Sequence, residues 1–152
     1  MINEVDLAYL ARLFDGEGSF VINRVIYKWK KTPFFYGQAY ICNTNLELIN
    51  WLKSRFNGRA HITHKKNPKH KQVYKFNFLL RGRIKLLKAV LPFLIIKKKQ
   101  AELVLELWKH IFRFRRRPGF YILPSKEIEA RQRLYNKIKV LNRRGINVTD
   151  YD

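Results

Sequence analysis

The sequence predicts an α+β fold in the order α-β-β-α-β-β-α, with four antiparallel strands arranged as two hairpins and a basic helix at the C-terminal end. Three observations predict it. Aromatic and β-branched segments come in adjacent pairs around short polar turns. Apolar residues between those pairs recur at three- and four-residue steps. Glycine and proline stand at the boundaries.

The first helix is expected from about Val5 to Asp15. Asn3 is placed to cap it, with Asp6 completing a variant capping box. Leu7, Leu10, Ala11 and Phe14 form its buried stripe, and Gly16 and Gly18 are expected to stop it. Ser19–Trp29 and Phe34–Thr44 form the first hairpin around Lys30-Lys31-Thr32-Pro33. Leu46–Phe56 is a short amphipathic helix ended by Asn57 and Gly58. The second hairpin runs from Arg59 to His64 and from Gln72 to Leu80, around a polar loop from Lys65 to Lys71. A third helical region starts near Arg83, meets Pro92 and resumes from Lys97 to Phe112. Residues 1–112 thus form the core, 113–124 a basic linker, and 125–152 a C-terminal helix and tail packed on the same domain. Ser125 is expected to cap that last helix, whose stripe is Ile128, Leu134, Tyr135, Ile138 and Leu141, and Gly145 to end it. The two β-β-α segments repeat a pattern without convincing identity.

Length suits one hydrophobic core, and a chain 47% hydrophobic and 14% aromatic folds rather than staying disordered. The 32 basic and 11 acidic residues give a net charge of +21. Residues 1–80 carry 13 basic and 5 acidic side chains and the rest 19 and 6, so the charge is no detachable tail. Nucleic acid is the partner this surface suits, through neutralised phosphates and released counterions. No apolar run approaches the ~20 residues of a membrane span, and the N-terminus lacks the pattern of a signal peptide, so an intracellular protein without membrane contact is expected. Cys42, the only cysteine, excludes an internal disulfide and a cysteine zinc finger. His61, His64, His70 and His110 show no metal-ligand spacing and are expected to be solvated or phosphate-facing.

The stretch Leu10-Ala11-Arg12-Leu13-Phe14-Asp15-Gly16-Glu17-Gly18 carries the chemistry. Asp15 and Glu17 fall at a helix C-terminus, where the macrodipole disfavours acids. Two readings follow from local physics alone. The corner is either an oxygen-rich site for a hard cation, or a turn closed by Asp15 with Glu17 paired to a lysine.

That stretch resembles the signature of the LAGLIDADG homing endonucleases, with the acid-Gly-acid-Gly run and Ser19 in register. Leu91-Pro92-Phe93-Leu94 followed by Lys97-Lys98-Lys99-Gln100-Ala101 resembles a second segment of that family, and the likeness covers about residues 5 to 112. The resemblance implies the family's fold, a four-stranded antiparallel DNA-binding saddle. It implies a metal-dependent double-strand break with 3′ overhangs in a long, nearly palindromic target. One motif per chain implies a homodimer with the motif helices packed together, so Ala8, Ala11, Arg12 and Gly16 are expected at the interface. Arg12 departs from the signature, which has glycine there, and a buried arginine needs a partner. Glu17 and the Gly16 carbonyl are expected to face Mg²⁺, with Mn²⁺ as a substitute, and Asp15 to be structural. Lys97 corresponds to a basic residue near the scissile phosphate, and the rival reading is a generic phosphate contact. Asn43 corresponds to a polar residue holding the attacking water, or else caps the helix at Leu46.

On the family's register, Asn23, Tyr27, Gln38 and Tyr40 on the first hairpin face DNA. Arg59, His61, Thr63, Lys75 and Asn77 do so on the second, and each set shares a face by its two-residue spacing. Lys65, Lys66, Lys71, Lys98, Arg115 and Arg116 are expected to grip phosphates. The last helix (Arg131, Arg133, Lys137, Lys139, Arg143, Arg144) is either a phosphate contact or a packed helix with a solvated outer face. An RNA maturase acting on its host intron RNA and a non-cleaving DNA-binding regulator are the alternatives on the same fold.

Overall fold

A computed structural model describes residues 2–30, 32–63, 68–79, 82–114 and 123–143. Lys65, Lys66, Arg115, Arg116, His64, Arg144 and Gly145 lie outside them. The chain runs α1 (Glu4–Glu17), β1 (Gly18–Val25), β2 (Phe34–Asn43), α2 (Leu46–Arg55), β3 (Gly58–Ile62), β4 (Tyr74–Phe78), α3 (Arg83–Val90), a 3₁₀ turn (Leu91–Phe93), α4 (Lys98–Phe114) and α5 (Ser125–Leu141). The four strands form one antiparallel sheet in the order β1-β2-β4-β3. The α+β architecture is the expected one, with α1, α2, α4 and α5 all in contact with the sheet.

Alternation along the strands puts Phe20, Ile22, Phe35, Ala39, Ile41 and Phe76 on the helix-covered face, where they join the main core. Leu10, Ala11 and Phe14 from α1, Ile49 and Leu52 from α2 and Ala101, Val104, Leu107 and Trp108 from α4 complete it. α4 and β2 meet at Gly37, where the buried Trp108 indole donates to the Gly37 carbonyl at 3.1 Å. A Cβ at position 37 would stand 2.8 Å from Trp108 Nε1, so the helix rests directly on backbone there.

Several boundaries differ from the sequence expectation. The Asn3–Asp6 capping box forms as predicted, but α1 continues through Gly16 and ends at Glu17. Gly16 sits on an open face where a side chain would meet nothing within 4 Å, and Gly18 is the C-cap. Gly18 is required by close approach: its Cβ would lie 2.6 Å from Phe14 Cα. Ser125 is the first helical residue of α5, and Pro124 holds the cap position, its carbonyl accepting from the Glu127 and Ile128 amides.

α5 also departs from a simple apolar stripe. Ile138 is buried as expected, but so are Glu127 and Arg131. Arg131 Nε donates to Glu127 Oε1 at 2.7 Å, and His110 Nδ1 of α4 lies 2.9 Å from Glu127 Oε2. Arg131 therefore belongs to a buried ion pair and not to a solvated face, and His110 is part of the helix–helix contact. Asn142 then ties the end of α5 to β1 through the Phe20 carbonyl, at 3.0 Å.

Candidate metal centre and nucleic-acid interface

The two acids of the motif have separate surroundings. Asp15 accepts from three backbone amides just before α4: Ile95 at 2.8 Å, Ile96 at 3.2 Å and Lys97 at 2.9 Å. An acid at the negative end of α1 thus stands at the positive end of α4, which offsets the unfavourable dipole. The reverse contact comes from Lys97, whose Nζ donates to the carbonyls of Phe14 at 3.0 Å and Gly18 at 2.7 Å. Burial lowers the Lys97 pKa below the ordinary lysine value, partly offset by the Asp15 carboxylate. These bonds lock the end of α1 to the start of α4.

Glu17, by contrast, is exposed and is the last residue of α1. Its carboxylate accepts from Asn43 Nδ2 at the end of β2. Asn43 also accepts the Asn45 amide at 2.7 Å, and Asn45 itself caps α2 through the Leu48 amide. Of the two roles the sequence allows Asn43, the structure has it contact Glu17, while Asn45 does the capping. Three of the motif-related residues, Glu17, Asn43 and Lys97, are thereby gathered around one helix end.

The outer face of α1 carries Val5, Ala8, Tyr9, Arg12 and Gly16, all exposed. Ala11 is at 0% exposure in the chain's own core, which removes it from that face and corrects the expectation of an interface position. Arg12 is exposed in the single chain.

The sheet's other face is polar over most of its area. Antiparallel register places Tyr40 opposite Asn77, and Asn77 opposite Arg59. Lys75 stands opposite His61, and Gln38 opposite Val21. Asn23 Nδ2 donates to Gln38 Oε1 at 3.3 Å, Asn77 Nδ2 lies 3.3 Å from His61 Nδ1, and the Lys75 ammonium sits 3.7 Å from the Tyr40 ring centroid. Asn77 Oδ1 has no hydrogen-bond partner among the described residues. Thr63 and Tyr27 lie just past the ends of their strands, and the Thr63 hydroxyl closes its hairpin on the Val73 carbonyl at 3.0 Å. Lys71 and Lys98 are exposed.

No protein-family model matches this sequence, and no curated protein does. Solved structures do. The archaeal intron-encoded homing endonuclease I-Vdi141I, complexed with DNA, superposes with a TM-score of 0.74 at 18% identity, over 98% of this chain and 90% of that one. The chain has the LAGLIDADG homing-endonuclease fold. The homing endonuclease I-CvuI, in complex with its target in the presence of Ca, gives a TM-score of 0.70 at 17% identity over 95% and 87% of the two chains. For the LAGLIDADG homing endonuclease I-SmaMI bound to cleaved DNA, the TM-score is 0.68 at 18% identity, over 98% of this chain but only 46% of that one.

Within the LAGLIDADG fold, sequence reasoning missed the reciprocal Asp15–Lys97 clamp and the Glu127–Arg131–His110 group. A signal for the second was present: Glu127 and Arg131 are spaced i,i+4, the interval that brings helical side chains together. Nothing local signalled the first, whose partners stand some 80 residues apart.

Proposed function

We propose that the chain is a site-specific endonuclease. It acts as a homodimer on a long, nearly palindromic DNA duplex and cuts both strands with divalent metal to leave 3′ overhangs. The observation that carries this reading is Glu17. In a chain with only 11 acidic residues, one carboxylate is left exposed at a helix end, oriented by Asn43, while neighbouring Asp15 is taken up by the fold. Among the described residues no group of three or more His, Cys, Asp or Glu could hold a metal ion. With Asp15 held by backbone amides, Glu17 is the carboxylate this corner offers, and the donor set fits Mg²⁺ or Mn²⁺ only as half of a site. Glu17 from two copies, the Gly16 carbonyls and DNA phosphates would supply the oxygens such a hard cation takes.

A bound ion of this kind lowers the pKa of water and stabilises charge on phosphoryl oxygens. The chain's own part is positional. Asn43 fixes the Glu17 rotamer, and the Asp15–Lys97 clamp fixes the helix end from which Glu17 projects. Lys97 is thus assigned as a positioning residue, because its ammonium is engaged by the Phe14 and Gly18 carbonyls. Two features support a dimer. Val5, Ala8, Tyr9, Arg12 and Gly16 form a helix face that is exposed among the described residues, with Trp51 edge-on to Tyr9 at its side, and I-SmaMI has a chain of which this one matches about half. The polar sheet face is the proposed DNA contact, with Asn23, Gln38, Tyr40, Arg59, His61, Lys75 and Asn77 directed to the major groove. Among the described residues no helix is long and apolar enough to cross a membrane, and the protein is proposed to act inside the cell, where DNA is.

Incubation with a randomised duplex library and Mg²⁺ tests the reading. The wild-type chain is expected to yield cut species. Glu17→Gln should retain binding but lose cleavage by roughly 10²–10³-fold or more, the scale on which one preorganised charge-stabilising group acts. Recovery of no cut species at low salt contradicts the proposal and favours a non-cleaving regulator or an RNA maturase.

A further inference from the structure

The polar character of the outer sheet face stops at the far end of the first hairpin. Val25 stands opposite Phe34 and Asn23 opposite Tyr36, and beyond them the chain turns through Tyr27 and Trp29. These side chains form a row of four rings: Trp29 on Tyr27 with centroids 5.1 Å apart, Tyr27 to Phe34 at 6.4 Å, and Phe34 to Tyr36 at 5.9 Å. The row is open to solvent, with Trp29 at 77% and Phe34 at 45% exposure. Lys28 and Lys30 flank it, both exposed, with the Lys30 ammonium 6.0 Å from the Tyr27 ring centroid. An exposed aromatic row with cationic neighbours costs solubility and marks a surface that is covered in use.

We infer that this ring row reads thymine 5-methyl groups in the major groove and sets a preference for A·T pairs in the outer part of each half-site. The inference rests on the endonuclease reading and deepens it. The thymine methyl is the one apolar group that base edges offer in the major groove, so rings placed on a groove-facing ribbon have only that partner. Flanking lysines supply the phosphate contacts that hold such a ribbon down. Stacking on unpaired bases is the rival use of aromatic residues. Trp29 lies near-parallel to Tyr27 and Phe34 near-parallel to Tyr36, at 23° and 28°, so each ring has one plane turned to its neighbour and offers less stacking surface than a lone ring. Distance places the contact. Strand β1 starts next to Glu17 and extends eight residues, so its far end lies roughly 25 Å out, or about six to nine base pairs from the cleavage centre.

The test uses the duplexes selected by the full chain from the randomised library. They should carry A·T pairs in excess at those outer positions. Replacing each such thymine by deoxyuridine removes only the methyl and should weaken binding by roughly 2- to 5-fold per methyl, the scale of one buried CH₂. A Trp29→Ala/Phe34→Ala variant should bind the thymine and deoxyuridine duplexes alike. Both side chains are exposed in the row, and a circular dichroism spectrum matching wild type checks that the variant folds. Equal wild-type affinity for both duplexes, or no A·T excess at the outer positions, overturns the inference while recovered cut species leave the endonuclease reading standing. Tighter binding to single strands than to duplex, lost in the variant, also overturns it in favour of base stacking. Recovery of no bound duplex sinks both.

Discussion

At Asp15 one carboxylate accepts three backbone N–H groups from the segment before α4, and hydrogen bonds to a charged acceptor are the stronger kind. Asp15→Asn keeps one oxygen but loses the charge, and should lower unfolding stability by about 2 kcal/mol. A urea titration read by tryptophan fluorescence checks this; an unchanged midpoint would remove Asp15 from its structural role. Because the lock holds the start of α4 against Glu17's helix, cleavage should fall in the same variant even at temperatures where it is fully folded. How far this corner was legible varies by residue. The division of labour between the two acids follows from the motif resemblance, and Asn43 was reached the same way. The resemblance places Lys97 near the scissile phosphate, but nothing local in the sequence signals that its ammonium meets carbonyls at the end of another helix. A helix end advertises unsatisfied carbonyls but says nothing about which distant lysine will meet them.

Among the elements, α4 and α5 show where pattern reading succeeds and where it stops. The stripe Ala101, Val104, Leu105 and Trp108 was plain from periodicity and is buried as expected. The α5 stripe of Ile128, Leu134, Tyr135 and Ile138 does pack on the core, but Glu127 and Arg131 count as polar in any periodic scan, and yet they are buried against each other, with Glu127 also against His110. Glu127→Ala leaves the Arg131 guanidinium buried without its carboxylate and should cost about 3–5 kcal/mol. Joint replacement of both residues by methionine should cost much less than the sum of the single changes, and the double-mutant cycle by urea unfolding measures that coupling. Simple additivity would mean that the pair is not coupled. On the sheet side, Gly37→Ala pushes a methyl against the Trp108 indole and should destabilise by about 1–3 kcal/mol. Trp108→Phe, which removes the indole donor to the Gly37 carbonyl, should make that substitution less harmful; an equal penalty in both backgrounds would contradict the contact.

For the whole molecule, the +21 charge and the two hairpins were readable from the sequence, but the sheet order β1-β2-β4-β3 was not. Each hairpin is locally complete, and which edges join is decided by how Phe76, Ile41 and the helices share one core. The proposed partnership between chains is likewise invisible in one copy, except as the exposed α1 face and the exposed Ile95 and Ile96 beside the Asp15 lock. The central claim is that two Glu17 carboxylates, one from each subunit, are needed for one double-strand break. Wild-type and Glu17→Gln chains, unfolded together and refolded at varied ratios, form a binomial mixture of dimers whose cleavage of a selected duplex is then timed. If both carboxylates are needed for each cut, the rate of single-strand nicking falls as the square of the wild-type fraction, as double-strand cleavage does. Nicking that falls only linearly would mean that each subunit cuts its own strand alone, and would contradict the shared centre.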